Sequence, residues 1–108
     1  MTPRRTHPPD PALESELAEI RERIDDLDRR LVAMLNERAE LGRAAGRAKV
    51  ALGRRAVRDT EREREVLIRV AMANEGPIGS ADLLSIFRRV VAVTRGLETR
   101  DRAHDREA

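Results

Sequence analysis

The residues of this chain best suited to chemistry are cations placed where a helical pattern calls for apolar side chains. Of 22 basic residues, only Lys49 is a lysine, and its compact ammonium is a point charge that a planar guanidinium does not always replace. Arg38 interrupts an otherwise apolar seam, and Lys49 follows it by roughly three helical turns, about 16 Å along the axis. Two long cationic side chains on nearly one face can converge on one small anion.

Further polar residues intrude on predicted helices. Thr94 and Glu98 stand four residues apart on the apolar stripe of a third helix, and Arg62 and Glu63 begin a second one. A glutamate near a helix C-terminus opposes the helix dipole and calls for a cation or a role. Together with Arg38 and Lys49, these groups predict a site for a small dianion that carries a hydroxyl.

Each of these residues also has a purely structural explanation. Arg38 could reach solvent along its alkyl stem or pair with a buried glutamate. Arg21, beside the same seam, could be a surface arginine, although from there it could also reach a partner chain's site. Thr60 and Glu63 fit the spacing of a helix capping box, and Glu98 could lie on a fraying helix end.

The composition excludes several classes of chemistry. The chain has no Cys, Trp or Tyr, which removes disulfides, thiolate metal ligands and a thiol nucleophile, and its two histidines, His7 and His104, lie near the termini. We expect neither a metal nor another cofactor. Acidic and basic residues alternate around a net charge of +2, a poor surface for nucleic acid. Without an apolar membrane span or a signal-peptide core, we expect a cytoplasmic protein.

One long helix dominates the pattern of the 108 residues. Residues 1–10 are rich in Pro and charge and are expected to be a disordered tail. Asp10 and Pro11 are typical of a helix start, and Gly53 of a stop after about Leu52. Between them the apolar residues step by alternating fours and threes, as in a coiled coil: Leu13, Leu17, Ile20, Ile24, Leu27, Leu31 and Met34.

Two shorter helices follow. Asp59 or Thr60 caps the second, which ends at Gly76-Pro77, and Ser80 caps the third, which frays into a disordered tail at residues 101–108. The expected fold is therefore an all-α helical domain over residues 11–100. A first helix of roughly 60 Å cannot be covered by such short partners, so its seam predicts burial against a second chain, most economically in a two-fold homodimer.

These residues resemble the all-helical (AroQ type) chorismate mutases over about residues 14 to 99. Four patterns occur in order: R-x-x-I-x-x-L-D, E-R-x-E-L, G-[KR]-x-K and V-R-D-x-x-R-E. The resemblance implies rearrangement of chorismate to prephenate in the shikimate pathway of aromatic amino-acid biosynthesis, without a cofactor. It also implies an intertwined homodimer of three-helix chains.

The resemblance also implies roles for the cationic residues. Arg21 matches an arginine that reaches into the partner subunit's site. Arg38 and Arg62 match arginines that bind the substrate carboxylates. Lys49 matches the lysine that donates to the ether oxygen of the breaking C–O bond.

The remaining matched positions concern the substrate's hydroxyl and the ether oxygen. The backbone N–H of Asp59 and the carboxylate of Glu63 match the groups that hold the ring hydroxyl, and Thr94 replaces a serine that supports a carboxylate. Glu98 replaces a glutamine that donates to the ether oxygen, although other members carry Glu there. An ionised carboxylate can only accept hydrogen bonds, so Glu98 in that role requires protonation.

Two alternatives compete with the mutase. An isochorismate–pyruvate lyase of the same fold uses a similar cationic pocket, although the V-R-D-x-x-R-E match favours the mutase. A helical adaptor without catalysis, or a regulatory partner of another shikimate-pathway enzyme, would not need Arg38 on its seam. Net charge and the lack of aromatic stacking residues make a nucleic-acid module the weakest alternative.

Overall fold

The computed structural model describes residues 8–55 and 58–107, and the regular elements among them are α-helices. Helix α1 is Pro11–Ala51, α2 is Thr60–Ala73 and α3 is Ser80–Glu107. One long and two shorter helices are thus confirmed. None of these helices has the length and apolarity to cross a membrane. Of the tail predicted for residues 1–10, residues 1–7 lie outside the described part.

The ends of α1 follow the sequence signals. The Asp10 carboxylate accepts a hydrogen bond from the backbone N–H of Ala12 at 2.9 Å, which satisfies one of the free donors of the first turn. At the other end, Gly53 adopts a φ of +78°, a left-handed conformation that favours glycine. The backbone N–H of Arg54 then bonds to the Lys49 carbonyl at 2.9 Å. The predicted start and stop are therefore confirmed to within a residue.

The chain divides into two compact units, one ending at Met34 and the other beginning at Leu35. The first unit consists of the N-terminal part of α1, and its apolar seam is exposed to solvent. Leu17 and Ile20 are the least exposed members of the seam, and each still exposes over 40% of its surface. Nothing within the described part of this unit covers the seam.

The second unit contains the rest of α1 together with α2 and α3. Asp59 caps α2, since its carboxylate accepts from the backbone N–H of Arg62 at 3.0 Å. The alternative capping box of Thr60 and Glu63 is wrong, because the Glu63 carboxylate binds arginines instead. The helix also ends at Ala73, earlier than predicted.

The turn between α2 and α3 is organised by Asn74, the C-cap of α2. Its amide donates to the Ile78 carbonyl at 2.9 Å and to the Ser80 hydroxyl at 3.3 Å, while its carbonyl oxygen accepts from the backbone N–H of Gly76. This side chain takes over the backbone contacts that would otherwise continue the helix. Ser80 is accordingly the first residue of α3 rather than the residue before it.

The disordered tail predicted for residues 101–108 does not begin at residue 101, because α3 continues to Glu107, and Ala108 lies outside the described residues. Arg43 of α1 donates twice to the Asp101 carboxylate, both at 2.9 Å, and Arg102 donates to the Arg55 carbonyl at 2.6 Å. The hydrogen bond from Arg43 holds the pKa of Asp101 below its ordinary value. The pair is therefore present at neutral pH and is lost as pH falls through that lowered pKa.

The interior of the second unit is polar. No apolar side chain in the described part of the chain is fully buried, and the buried polar residues are Thr94 and Glu98. Gly46 of α1 is buried as well. Such an interior is costly unless its polar groups are paired, so Thr94 and Glu98 require polar partners.

Candidate active site

A cavity of about 450 Å³ opens between the C-terminal part of α1, α2 and α3. Its wall contains seven of the eight residues singled out from the sequence: Arg38, Lys49, Asp59, Arg62, Glu63, Thr94 and Glu98. Residues up to 60 positions apart in the chain are thus brought together around one space. Their roles towards a ligand remain predictions.

Lys49 and Glu98 form the most buried ion pair of the cavity. The Lys49 Nζ lies 2.9 Å from Glu98 Oε2. The two side chains expose 17% and 8% of their surface, so solvent screens the attraction between the two charges only weakly. The expected difficulty of a glutamate at a helix C-terminus does not arise, because α3 continues to Glu107.

Arg38 reaches the cavity from the seam of α1. Its guanidinium lies 3.4 Å from the Thr94 hydroxyl, which itself donates to the Val90 carbonyl at 3.2 Å. The contact with Arg38 is long for a hydrogen bond. Most of the donors of this guanidinium therefore stay available to a ligand in the cavity.

The start of α2 supplies a second arginine. Arg62 lines the cavity, but its guanidinium pairs with Glu65 at 3.0 Å and its side chain is 55% exposed. A surface pair of this kind is weak. Arg62 can therefore exchange Glu65 for a carboxylate in the cavity at small cost.

The carboxylate of Glu63 is held by two arginines. Arg95 donates to Oε1, and Arg58 donates to Oε2 at 3.1 Å. Arg95 and Arg54 both line the cavity, and neither is among the residues predicted from the sequence. No local signal distinguishes Arg95 from the other arginines of α3, because its partner lies 32 residues away.

Two glycines of α1 let α3 approach closely enough to place Thr94 and Glu98. A Cβ at Gly42 would overlap Thr94 Cγ2, and a Cβ at Gly46 would lie 3.0 Å from Glu98 Cγ. The glycines are four residues apart, as are their two partners, so the contact repeats once per helical turn. The spacing is visible in the sequence, but the sequence alone gives it no role.

Gly42→Ala is expected to destabilise the protein by about 1–3 kcal/mol, because the β-branched Thr94 has little freedom to move away. The measurement is the free energy of unfolding in urea. Gly96→Ala is the matched control, since a Cβ there meets nothing within 4 Å, and it should be neutral or slightly stabilising. Adding Thr94→Ser to Gly42→Ala removes Cγ2 and should restore much of the lost stability. Equal stability of the two alanine variants would contradict this account of the packing.

A second, smaller cavity of about 260 Å³ is lined by residues of α1 and α3. Its wall includes Arg43, Asp101 and Arg102, which attach the end of α3. Glu98 lines both cavities, so the two spaces share one carboxylate.

Arg21, the eighth predicted residue, belongs to the first unit. It lies on α1 and is exposed. Its predicted role concerns a second copy of the chain.

The charges of the cavity define its chemistry. Five basic side chains line it, against three acidic ones, so two positive charges remain for a dianion. The acidic groups can accept hydrogen bonds from a hydroxyl, while the basic ones can bind carboxylates in charge-assisted pairs. The arrangement suits a reaction that depends on holding and polarising an anionic molecule.

The chain is similar to known proteins. A family model described as chorismate mutase type II matches residues 20–99. The bifunctional chorismate mutase/prephenate dehydratase of Escherichia coli (strain K12) is 47% identical over 57 residues, which is 53% of this chain and 14% of that protein. The protein of the same name from Stutzerimonas stutzeri is 31% identical over 77% of this chain and 24% of its own length.

A solved structure is similar as well. The structure of chorismate mutase (form II) from Thermus thermophilus is 27% identical, with a TM-score of 0.74. The match covers 79% of this chain and 96% of that one. Against the bifunctional relatives, in contrast, this chain spans between about a seventh and a quarter of their length.

Proposed function

This chain belongs to the chorismate mutase type II family, and from that premise we propose that it rearranges chorismate to prephenate in the larger cavity. The observation that carries the proposal is the Lys49 ammonium, fixed 2.9 Å from Glu98 in a wall whose charge is two units positive. Chorismate is a dicarboxylate with a ring hydroxyl and an ether oxygen. The cavity offers groups of the right charge for each of these.

The reaction needs no nucleophile and no proton transfer. Within one molecule the ether C–O bond breaks while a C–C bond forms. The electrons shift through a cyclic transition state of six atoms. The protein must hold a folded conformer in which the reacting carbons are close. It must also stabilise the negative charge that grows on the ether oxygen.

The side chains divide these tasks. Arg38 and Arg62 bind the two carboxylates and fold the substrate, because guanidinium forks grip carboxylates bidentately. Lys49 donates to the ether oxygen as its charge grows. Glu63 and the backbone N–H of Asp59 hold the ring hydroxyl.

Glu98 faces the same oxygen as Lys49. Only a protonated carboxyl at this position can donate to it, and an ionised one repels it. We therefore expect the pH dependence of kcat/KM to change when this carboxyl is replaced by an amide. Glu98→Gln keeps a donor at every pH and should flatten the profile.

The measurement is kcat/KM across acid to alkaline pH for both proteins, with binding of the product followed separately. Glu75→Gln is a control that changes an exposed carboxylate outside the cavity wall. Parallel profiles for wild type and Glu98→Gln would show that Glu98 does not donate in the reaction.

We propose further that the chain acts as a homodimer. The exposed apolar seam of the first unit, from Leu13 to Met34, supports this, because a soluble monomer rarely exposes so long a stripe. Each chain would contribute Arg21 to its partner's site. Light scattering is expected to give about twice the chain mass of 12.2 kDa.

A mixing experiment tests the shared site. Arg21→Ala and Lys49→Ala are each expected to be nearly inactive alone. In a mixed dimer, one site has both residues intact, so mixing after partial unfolding should restore activity. If light scattering shows a monomer, or if mixing restores nothing, the shared site is wrong.

The activity is tested by following the loss of chorismate in ultraviolet absorbance without added metal or cofactor. Prephenate, detected as phenylpyruvate after acid treatment, is the expected product. Release of pyruvate from isochorismate would instead identify the lyase. Loss of neither substrate, in a folded dimer, would favour a non-catalytic partner of another enzyme of the pathway.

A further inference from the structure

We propose that Arg95 is a positioning residue that acts through Glu63 to set how tightly the substrate's ring hydroxyl is held. The inference rests on the proposed function. It starts from the contacts of the Glu63 carboxylate, whose two oxygens accept from two different arginines, Arg95 and Arg58.

The two arginines contribute unequally to holding the Glu63 carboxylate in place. Arg58 precedes α2 and is 62% exposed, so its pair with Glu63 is screened by solvent. Arg95 is 31% exposed, and it holds Glu63 from across the α2–α3 contact. Arg95 is thus the partner that fixes the direction of the carboxylate.

The direction of the Glu63 carboxylate decides where its free acceptor positions point. Each carboxylate oxygen has two acceptor positions, and the arginines use one on each oxygen. The remaining positions can accept a hydrogen bond from a hydroxyl group in the cavity. Both Glu63 and Arg95 line that cavity. Without Arg95, Glu63 can turn towards Arg58 and solvent, and the free acceptor positions leave the cavity.

Charge supports the same assignment. Asp59, Glu63 and Glu98 all line the cavity, and the substrate adds two further negative charges. Glu98 is balanced by Lys49. Arg95 balances Glu63 on the cavity side, which lowers the repulsion that an unpaired carboxylate would exert on an anionic substrate.

A simpler role for Arg95 would be to tie α2 to α3. In that case, removing the Arg95 side chain lowers the stability of the protein, whether or not Glu63 contacts the substrate. A positioning role predicts instead a change in KM that requires Glu63.

The first experiment compares Arg95→Ala with Arg100→Ala, which removes an exposed arginine of the same helix. We expect KM for chorismate to rise roughly tenfold in Arg95→Ala, the effect of one charge-assisted contact. The value of kcat should change little, since the hydroxyl is held equally in the ground and transition states. Arg95→Lys should recover part of the loss, and Arg100→Ala should behave as wild type.

The second experiment is a double-mutant cycle with Glu63→Gln. If Arg95 acts through Glu63, Arg95→Ala adds little once Glu63 is changed. Full additivity, or an unchanged KM in Arg95→Ala, would overturn the proposal and leave Arg95 as a tie between helices. Circular dichroism checks folding, and Arg95→Gln replaces the alanine variant if the latter unfolds. A wild-type chain that does not convert chorismate would refute the proposed function itself, and this inference with it.

Discussion

Lys49→Ala is expected to lower kcat/KM for chorismate by about 10²–10³, the usual effect of removing a preorganised donor from a developing oxyanion. The ammonium is held at 2.9 Å by Glu98 in a place where its side chain is only 17% exposed. It therefore needs no reorganisation when negative charge appears on the ether oxygen. Most of the loss should be in kcat, because the charge exists only in the transition state. Steady-state kinetics at several pH values give the measurement.

The Lys49 variant needs a control for its partner. Removing the ammonium leaves the Glu98 carboxylate buried and unpaired, which is costly in itself. The double variant Lys49→Ala with Glu98→Gln removes that cost and keeps a neutral donor. If it recovers full activity, the ammonium is not needed for catalysis. Activity of Lys49→Ala within a few-fold of wild type would lead to the same conclusion.

Arg38→Leu is expected to reduce kcat/KM by about 10²–10³, several kcal/mol of transition-state binding, while the fold stays as stable or becomes more stable. Within the described part of the chain, the Arg38 side chain makes one polar contact, a long one to the Thr94 hydroxyl at 3.4 Å, so the protein loses little when it is removed. Leucine continues the apolar seam of α1. Kinetics and thermal unfolding of the same sample separate activity from stability.

The Arg38 result also distinguishes enzyme from adaptor. A helical adaptor would lose nothing with Arg38→Leu and would gain stability from the repaired seam. Arg38→Lys serves as the control, because it keeps the charge but not the bidentate fork, and it should fall between wild type and leucine. Wild-type kcat/KM in Arg38→Leu would rule out carboxylate binding by this residue.

The bounds of α1 could be predicted because their causes are local. Asp10 and Pro11 begin the helix, and Gly53 ends it through its own backbone conformation. The end of α3 could not be predicted, because its causes are distant. Its last turns are anchored by Arg43, 58 residues before Asp101, and by the carbonyl of Arg55. An alternating charged segment without such anchors is indistinguishable from a tail.

The residues of the candidate site also differ in whether the sequence could predict them. Arg38 and Lys49 stood out because they break a periodic pattern or a compositional bias, and the structure brings them to one cavity. Arg95 broke neither, since arginine is common on helix surfaces in this chain. Gly42 and Gly46 had a visible spacing, but only the distance of a Cβ from Thr94 and Glu98 gives that spacing a meaning.

Glu98 is a partition between two spaces, since the same carboxylate lines both the larger and the smaller cavity. A redesign that reshapes the smaller cavity around Arg43, Asp101 and Arg102 would reach Lys49 through one intervening side chain. The two cavities therefore cannot be engineered as independent modules. For the same reason, a molecule designed to fill the smaller cavity could act on the larger one without entering it.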